Sequence, residues 1–195
     1  ESGLEHEPEG YFRKSDWFAD TWSLMVIGEK RARPDLHVRN LDILKWGLAV
    51  GRSSKVFGQR TGLWAYDAWA KQVANEAAFL TDDERVLVSR HEVHNAAVGV
   101  IAEGRWAASE VLKTMASSES DIADSLIAVS ELFRQEHDIM WHIWDLVGGN
   151  GSPSAYEEFA SSEVRRRISD LIIEARDLDA KALDIIEHAL GKPGR

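Results

Sequence analysis

Residues 121–147, DIADSLIAVSELFRQEHDIMWHIWDLV, decide the fold, because their apolar side chains recur in alternating steps of four and three residues. That spacing places one apolar stripe along an α-helix. The stripe comprises Ile122, Leu126, Val129, Phe133, Met140, Ile143 and Val147. Glu136 takes the one position of the stripe that is not apolar, between Phe133 and Met140. The segment therefore predicts a long helix that packs along one face and carries one carboxylate on that face.

The segment before it predicts a second long helix. Thr81 and Glu84 have the spacing of a capping box, so we expect this helix to begin at Thr81 and to end near Met115. A short serine-rich break over residues 117–120 separates it from the next helix.

A third long helix is predicted after the glycine-rich break at residues 148–151. It begins near Ala155 or Ser162 and ends at Leu190. Its apolar positions follow the same spacing at Val164, Ile168, Leu171, Ala175, Leu178, Ala182, Ile185 and Ala189. Three consecutive amphipathic helices with short connections are expected to pack antiparallel.

The first third of the chain is less regular. Helices are predicted over Asp35–Val50 and Leu63–Phe79, with a glycine-containing loop between them. Residues 1–34 are predicted to form an N-terminal appendage, in which the apolar run Trp22–Ile27 is a candidate strand. We therefore predict a mainly α fold, an antiparallel helical bundle of about five helices over residues 35–195.

The composition excludes several classes of function. The 195 residues carry a net charge of −10, which argues against nucleic acid and anionic membranes as partners. The chain contains no cysteine, so it offers no disulfide, thiolate metal site or cysteine nucleophile. No apolar run is long enough to span a bilayer and no signal peptide is visible, so we expect a cytoplasmic protein with no membrane partner. Eight tryptophans predict buried anchors or pocket walls. The sequence starts at Glu1 rather than at methionine, which leaves open that a longer chain precedes it.

Residues 91–95, His-Glu-Val-His-Asn, place two histidines, an acid and an amide within a predicted helix. A zinc-binding helix of the His-Glu-x-x-His type needs a histidine where this sequence has Asn95. Di-iron bundles need Glu-x-x-His on two helices, and that pattern occurs nowhere in the sequence. Neither a phosphate-binding loop nor a dinucleotide fingerprint is present. We therefore predict no bound metal and no cofactor.

The same residues lie on a mostly apolar stripe of their helix, which also holds Leu87, Val98 and Ile101. A carboxylate on a packed seam is costly unless it is paired, so we expect Glu136 to face this helix or a polar pocket, with the histidines as possible partners. The candidate pocket residues are His91, His94, Asn95, Trp106, Glu136, His137 and Trp141. The sequence leaves open whether they form a structural polar network or line a ligand pocket.

Three other interpretations of this region stay open. His91, Glu92 and Asn95 match the His-Glu-x-x-Asn box of histidine-kinase dimerisation helices, in which His91 would be a phosphotransfer residue. Arg85 and His91 match a short nuclease pattern, although the acidic composition argues against an RNA substrate. An enzyme with a polar or metal-assisted site at His91, His94 and Glu136 is the third alternative.

Five stretches of the chain resemble, in the same order, the C-terminal portion of proteins similar to butirosin biosynthesis protein H. They are WSLMVIGEKRARPDL (22–36), LDILKWGLAVGRS (41–53), GLWAYDAWAKQV (62–73), HNAAVGVIAEGRWAASEVL (94–112) and FRQEHDIMWHIWDLV (133–147). The resemblance covers most of the chain, from about Tyr11 to Ala189. Its motifs are apolar and diffuse.

That resemblance implies a papain-like, cysteine-peptidase-type domain before Glu1, and some members of the family act as acyltransferases. The family's catalytic cysteine and histidine would lie in that domain, so no catalytic residue carries over to this chain. The expected function is a non-catalytic helical domain that binds a small molecule or a partner. A homodimer or the missing papain-like domain is the expected protein partner.

Overall fold

The computed structural model describes residues 32–81, 83–148 and 155–191, and these residues form a mainly α fold as predicted. The helices are α1 (Leu36–Arg52), α2 (Gly62–Val73), α3 (Glu84–Ala116), α4 (Ala123–Leu146), α5 (Ala155–Ala160) and α6 (Ser162–Gly191). Short 3-10 turns lie at Glu76–Ala78 and Ser120–Ile122. The candidate strand Trp22–Ile27 and nearly all of the predicted appendage 1–34 lie outside the described residues.

The loop between α1 and α2 contains an antiparallel hairpin that the sequence did not predict. Strands β1 (Lys55–Val56) and β2 (Gln59–Arg60) are joined by Phe57 and Gly58, which both have positive φ. Two central residues with positive φ are characteristic of the tight two-residue hairpin turn. At the start of α2, Gly62 also has positive φ, and a Cβ there would overlap the Gly51 carbonyl oxygen. Glycine at position 62 therefore lets the chain turn back closely against the end of α1.

Two predicted helix ends differ from the structure. The N-cap of α3 is Asp83 rather than Thr81, because the Asp83 carboxylate accepts from the Arg85 backbone N–H at 3.1 Å. Helix α2 ends at Val73 rather than at Phe79. The Val73 carbonyl oxygen accepts from Nε of Arg165 on α6, so a tertiary contact takes the acceptor at this end of the helix.

The long helices pack in a ring in which α3 lies along α4, α4 along α6 and α6 along α2. Helix α1 packs against α6 and α2. Helices α2 and α3 approach each other at only a few positions, so the fourth seam of the ring is the open one. The long helices thus enclose a core on three seams and leave space on the fourth.

The core consists of two apolar clusters at different heights of the bundle. One cluster contains Val98, Ala102, Met140, Ile143 and Ile172, and the other contains Leu112, Leu126, Val129, Phe133 and Ala182. The predicted stripe of α4 is confirmed, since its residues from Leu126 to Ile143 are buried. Glu136 is fully buried at the level between the two clusters.

The predicted face of α6 is buried as expected at Ile168, Ala175, Ala182 and Ala189, but it is broader on one side than predicted. Leu171, Leu178 and Ile185 are only partly buried, and their neighbours Ile172, Asp179 and Ile186 are buried instead. Arg165 is also buried, with 1% of its surface exposed. The broader face therefore brings two charged residues, Arg165 and Asp179, into the interior of the bundle.

Candidate functional site

The open seam between α2 and α3 contains a cavity of about 640 Å³, and α1 forms its third side. The wall is mainly apolar and includes Ile43, Trp46, Trp69, Ile101, Ala108 and Leu183. Trp46 is 72% exposed, so its ring lies at the mouth of the cavity. A concave, mainly apolar space of this volume is typical of a small-molecule site.

Polar side chains from four helices meet at one place on the floor of this cavity. Tyr66 of α2, Arg105 of α3 and Asp179 of α6 line the cavity, and Glu136 of α4 is buried behind them. Arg105 Nη2 donates to Asp179 Oδ2 at 2.6 Å and to the Tyr66 hydroxyl at 3.4 Å. Arg105 Nε lies 2.7 Å from Glu136 Oε2, and the Tyr66 hydroxyl donates to Glu136 Oε1. We call these four residues the polar layer.

The polar layer carries two acids and one permanent cation. Burial raises the pKa of Glu136 to about 7; the charge of Arg105 opposes this rise, and that of Asp179 adds to it. Burial also raises the pKa of Asp179, against the effect of Arg105. The Arg105 guanidinium lies 4.7 Å from the centre of the Phe133 ring, so it also makes a cation–π contact. The layer can therefore hold or release a proton near neutral pH.

We expect the contribution of Glu136 to stability to fall as pH rises from about 4.5 to about 7, whereas the lowered pKa of His94 acts in the opposite direction. In this window folded Glu136 keeps a proton that the unfolded chain releases, so the folded state binds more protons and loses stability as they are removed. Urea unfolding at pH 5 and pH 8 should show this decrease as a difference on the order of 2 kcal/mol between the pH dependence of wild type and that of Glu136→Gln, in which the histidine contributions cancel.

The substitution Glu136→Gln should flatten that decrease, because it removes the titrating carboxyl. Glu131→Gln, at an exposed position of the same helix, serves as the matched control and should keep the wild-type slope. An equal slope in Glu136→Gln and wild type would show that Glu136 is ionised across the whole range.

The histidines of the 91–95 cluster are buried in a different part of the bundle. The Asn95 side-chain amide donates to His91 Nε2 at 3.0 Å, and His91 also hydrogen-bonds to the backbone of Val147 at the end of α4. Burial lowers the pKa of His91. The bond to Asn95 lies within α3, whereas the bond to Val147 links α3 to the end of α4.

His94 stacks on the Phe159 ring at 4.6 Å between ring centres, and its Nδ1 accepts from Trp69 Nε1 at 3.3 Å. Burial, with a smaller effect of His91, lowers the pKa of His94 to about 4, so this ring is neutral at physiological pH. Glu136 faces α3, as expected, but its partners are Arg105 and Tyr66 and not the histidines that the sequence offered as possible partners. The structure therefore separates the polar layer from the histidine cluster.

The remaining candidates lie apart from the large cavity. His137 donates through Nδ1 to the Ala102 carbonyl of α3 at 2.9 Å, and Trp141 packs against both His137 and Trp144. Trp106 is 45% exposed. Trp106 and the half-exposed Trp64 are thus exceptions to the expectation that most of the tryptophans are buried or form pocket walls.

Arg105, Asp179 and Tyr66 were missed as site residues, although the sequence held a signal for Arg105. It takes the next position after Val98 and Ile101 on the α3 stripe, just as Glu136 takes a stripe position on α4. A charged residue on each of two packed stripes indicates a buried pair. Tyr66 gave no comparable signal, because a buried tyrosine is ordinary in an amphipathic helix.

A second cavity, of about 300 Å³, lies along the same open seam near the start of α3. Its lining includes Trp69, Phe79, Arg90, His94, Ala97 and Phe159. His94 is thus the one sequence-predicted candidate among the described linings of these two cavities. Trp69 and Ala97 line both cavities, so the two spaces share a wall.

Within the described parts of the chain, no group of three or more histidine, aspartate or glutamate side chains is placed to hold a metal ion. Nor does any helix in those parts have the length and apolar character needed to cross a membrane. Scans against models of protein families, against curated proteins and against solved structures return no match.

Proposed function

We propose that this helical bundle binds an apolar small molecule in the cavity between α1, α2 and α3. The observation that carries the proposal is the large apolar cavity with a polar layer at one point of its floor. Binding sites for small molecules commonly combine such a wall with a few polar groups that orient the ligand. The wall would supply affinity through burial of apolar surface, and the polar layer would contact the ligand at one point and so fix how it lies in the cavity.

A binding role without catalysis also agrees with the internal pairing of the polar layer. Arg105 pairs with both acids, and the Tyr66 hydroxyl donates to Glu136, so these polar groups hold one another in place on the cavity floor. The resemblance to the butirosin biosynthesis protein H-like family, which stays a prediction, likewise implies chemistry elsewhere and a pocket-shaping or interface role here.

Filling part of the cavity should weaken ligand binding. Ala108 lines the cavity and its neighbour Ala107 is exposed, so Ala108→Phe and Ala107→Phe add the same ring inside and outside the site. With the neutral fluorescent probe N-phenylnaphthylamine, we expect wild type and Ala107→Phe to bind alike. Ala108→Phe should bind at least about tenfold more weakly, which corresponds to about 1.4 kcal/mol.

Thermal unfolding of both variants checks that the added ring leaves the bundle folded. Equal affinity of folded Ala108→Phe and wild type would place the probe elsewhere and contradict the proposal. No binding to wild type would contradict it as well.

A further inference from the structure

The smaller cavity is lined by two buried hydrogen-bond donors that have no partner among the described residues, one on His94 and one on Arg90. His94 is 4% exposed, and its Nδ1 is occupied as an acceptor by Trp69. In the neutral ring the hydrogen is then on Nε2. This buried Nε2 has no hydrogen-bond partner among the residues that the structure describes.

Arg90 supplies a second donor and a charge on the same face of α3. It precedes His94 by one helical turn, so both side chains point to the same side of the helix. Its Nη1 is buried and also lacks a partner among the described residues. The guanidinium lies 5.4 Å from the centre of the Phe79 ring, and Phe79 also lines the cavity.

The charge balance of this cavity favours an anion. Its described lining contains Arg90 and no aspartate or glutamate. Buried donors without acceptors are costly, and a charged donor more so, so an anionic oxygen would satisfy both at once. In the larger cavity the charge of Arg105 is already balanced, since it is paired with the carboxylates of Glu136 and Asp179.

We propose that the two cavities together bind an amphipathic monocarboxylate, a free small molecule rather than a protein segment. Its carboxylate accepts from Arg90 and His94, and its apolar body passes Trp69 and Ala97 into the larger cavity. Trp69 both forms the shared wall and holds His94 Nδ1, so it fixes the direction in which the Nε2 donor points. This inference rests on the proposed function and adds the class of ligand to it.

The test compares dodecanoate with dodecanol, which share an apolar chain and differ in the head group. Each displaces N-phenylnaphthylamine from the protein at pH 8, where dodecanoate is ionised. We expect wild type to bind dodecanoate at least about tenfold more tightly than dodecanol. Arg90→Gln should bind dodecanoate more weakly and dodecanol as wild type does, so that the preference disappears. His94→Phe, which keeps an aromatic ring against Phe159, should reduce the preference in the same way.

Arg85→Gln is the matched control, because Arg85 is an exposed arginine near the start of the same helix. It should bind both ligands as wild type does. Equal binding of dodecanoate and dodecanol by wild type overturns the inference without the use of any variant. Unchanged dodecanoate binding in folded Arg90→Gln overturns it too. In both cases the proposed function stands as long as wild type binds N-phenylnaphthylamine and Ala108→Phe binds it more weakly. If wild type does not bind the probe, the proposed function itself is contradicted.

Discussion

Replacement of Arg105 by methionine is expected to destabilise the protein by about 3–5 kcal/mol at pH 8. The substitution keeps an unbranched side chain of similar length but removes the only cation in contact with Glu136 and Asp179 among the described contacts. Two buried carboxylates would then face each other without compensation. The loss is expected to be smaller at pH 5, because both carboxyls have raised pKa values and would take up protons there.

Urea unfolding followed by circular dichroism at the two pH values measures this effect. Lys113→Met is the matched control, because Lys113 forms an exposed pair with Glu110 on the same helix and should change stability by less than about 0.5 kcal/mol. The double variant Arg105→Met with Glu136→Gln should recover part of the loss, since it removes one uncompensated charge. If Arg105→Met lowers the free energy of unfolding by less than about 1 kcal/mol at pH 8, the ion pairs with Arg105 do not stabilise the buried carboxylates of Glu136 and Asp179.

Replacement of Arg165 by methionine is expected to cost about 3 kcal/mol. The Arg165 side chain donates to the backbone carbonyls of Val73, Phe159 and Ala160 and pairs with Glu76 at 2.5 Å. Its guanidinium also lies 3.9 Å from the centre of the Phe79 ring. The variant would leave buried carbonyl oxygens without donors, whereas Glu76 is 56% exposed and stays solvated.

Arg165 connects the end of α2 and the end of α5 to α6, so its loss should be visible locally as well as globally. Hydrogen exchange should accelerate at the backbone amides of residues 74–79 in Arg165→Met. Arg166→Met is the matched control, because the neighbouring Arg166 is exposed and bonds only within its own helix among the described contacts. Equal urea midpoints for the two variants would contradict a structural role of Arg165.

The helices could be predicted because amphipathic periodicity is a local property of the sequence. The stripe of α4 from Leu126 to Ile143 is buried as its spacing predicted, and Gly148 adopts positive φ just after the end of that helix. The sequence pattern alone could not decide whether Thr81 or Asp83 caps α3, since both are good N-cap residues. The hairpin turn was missed because Phe57 is an unusual residue for positive φ.

The face of α6 shows where periodicity is insufficient. Its apolar residues cover a broad arc, and two neighbouring stripes satisfy the spacing almost equally well. The structure buries Ile172, Asp179 and Ile186 more fully than Leu171, Leu178 and Ile185, and Asp179 pairs there with Arg105 of α3. The choice between such stripes depends on neighbouring helices rather than on α6 itself.

By itself, the sequence determined that the chain forms long amphipathic helices and that Glu136 lies on a packed seam, where a carboxylate requires a partner. Only the tertiary structure decided that this partner is Arg105 and that the histidines belong to a separate cluster. It also decided that the seam between α2 and α3 stays open and forms both cavities. The physical reason is that periodicity specifies which face of a helix is buried, whereas pairing and empty space depend on how several helices are placed relative to one another.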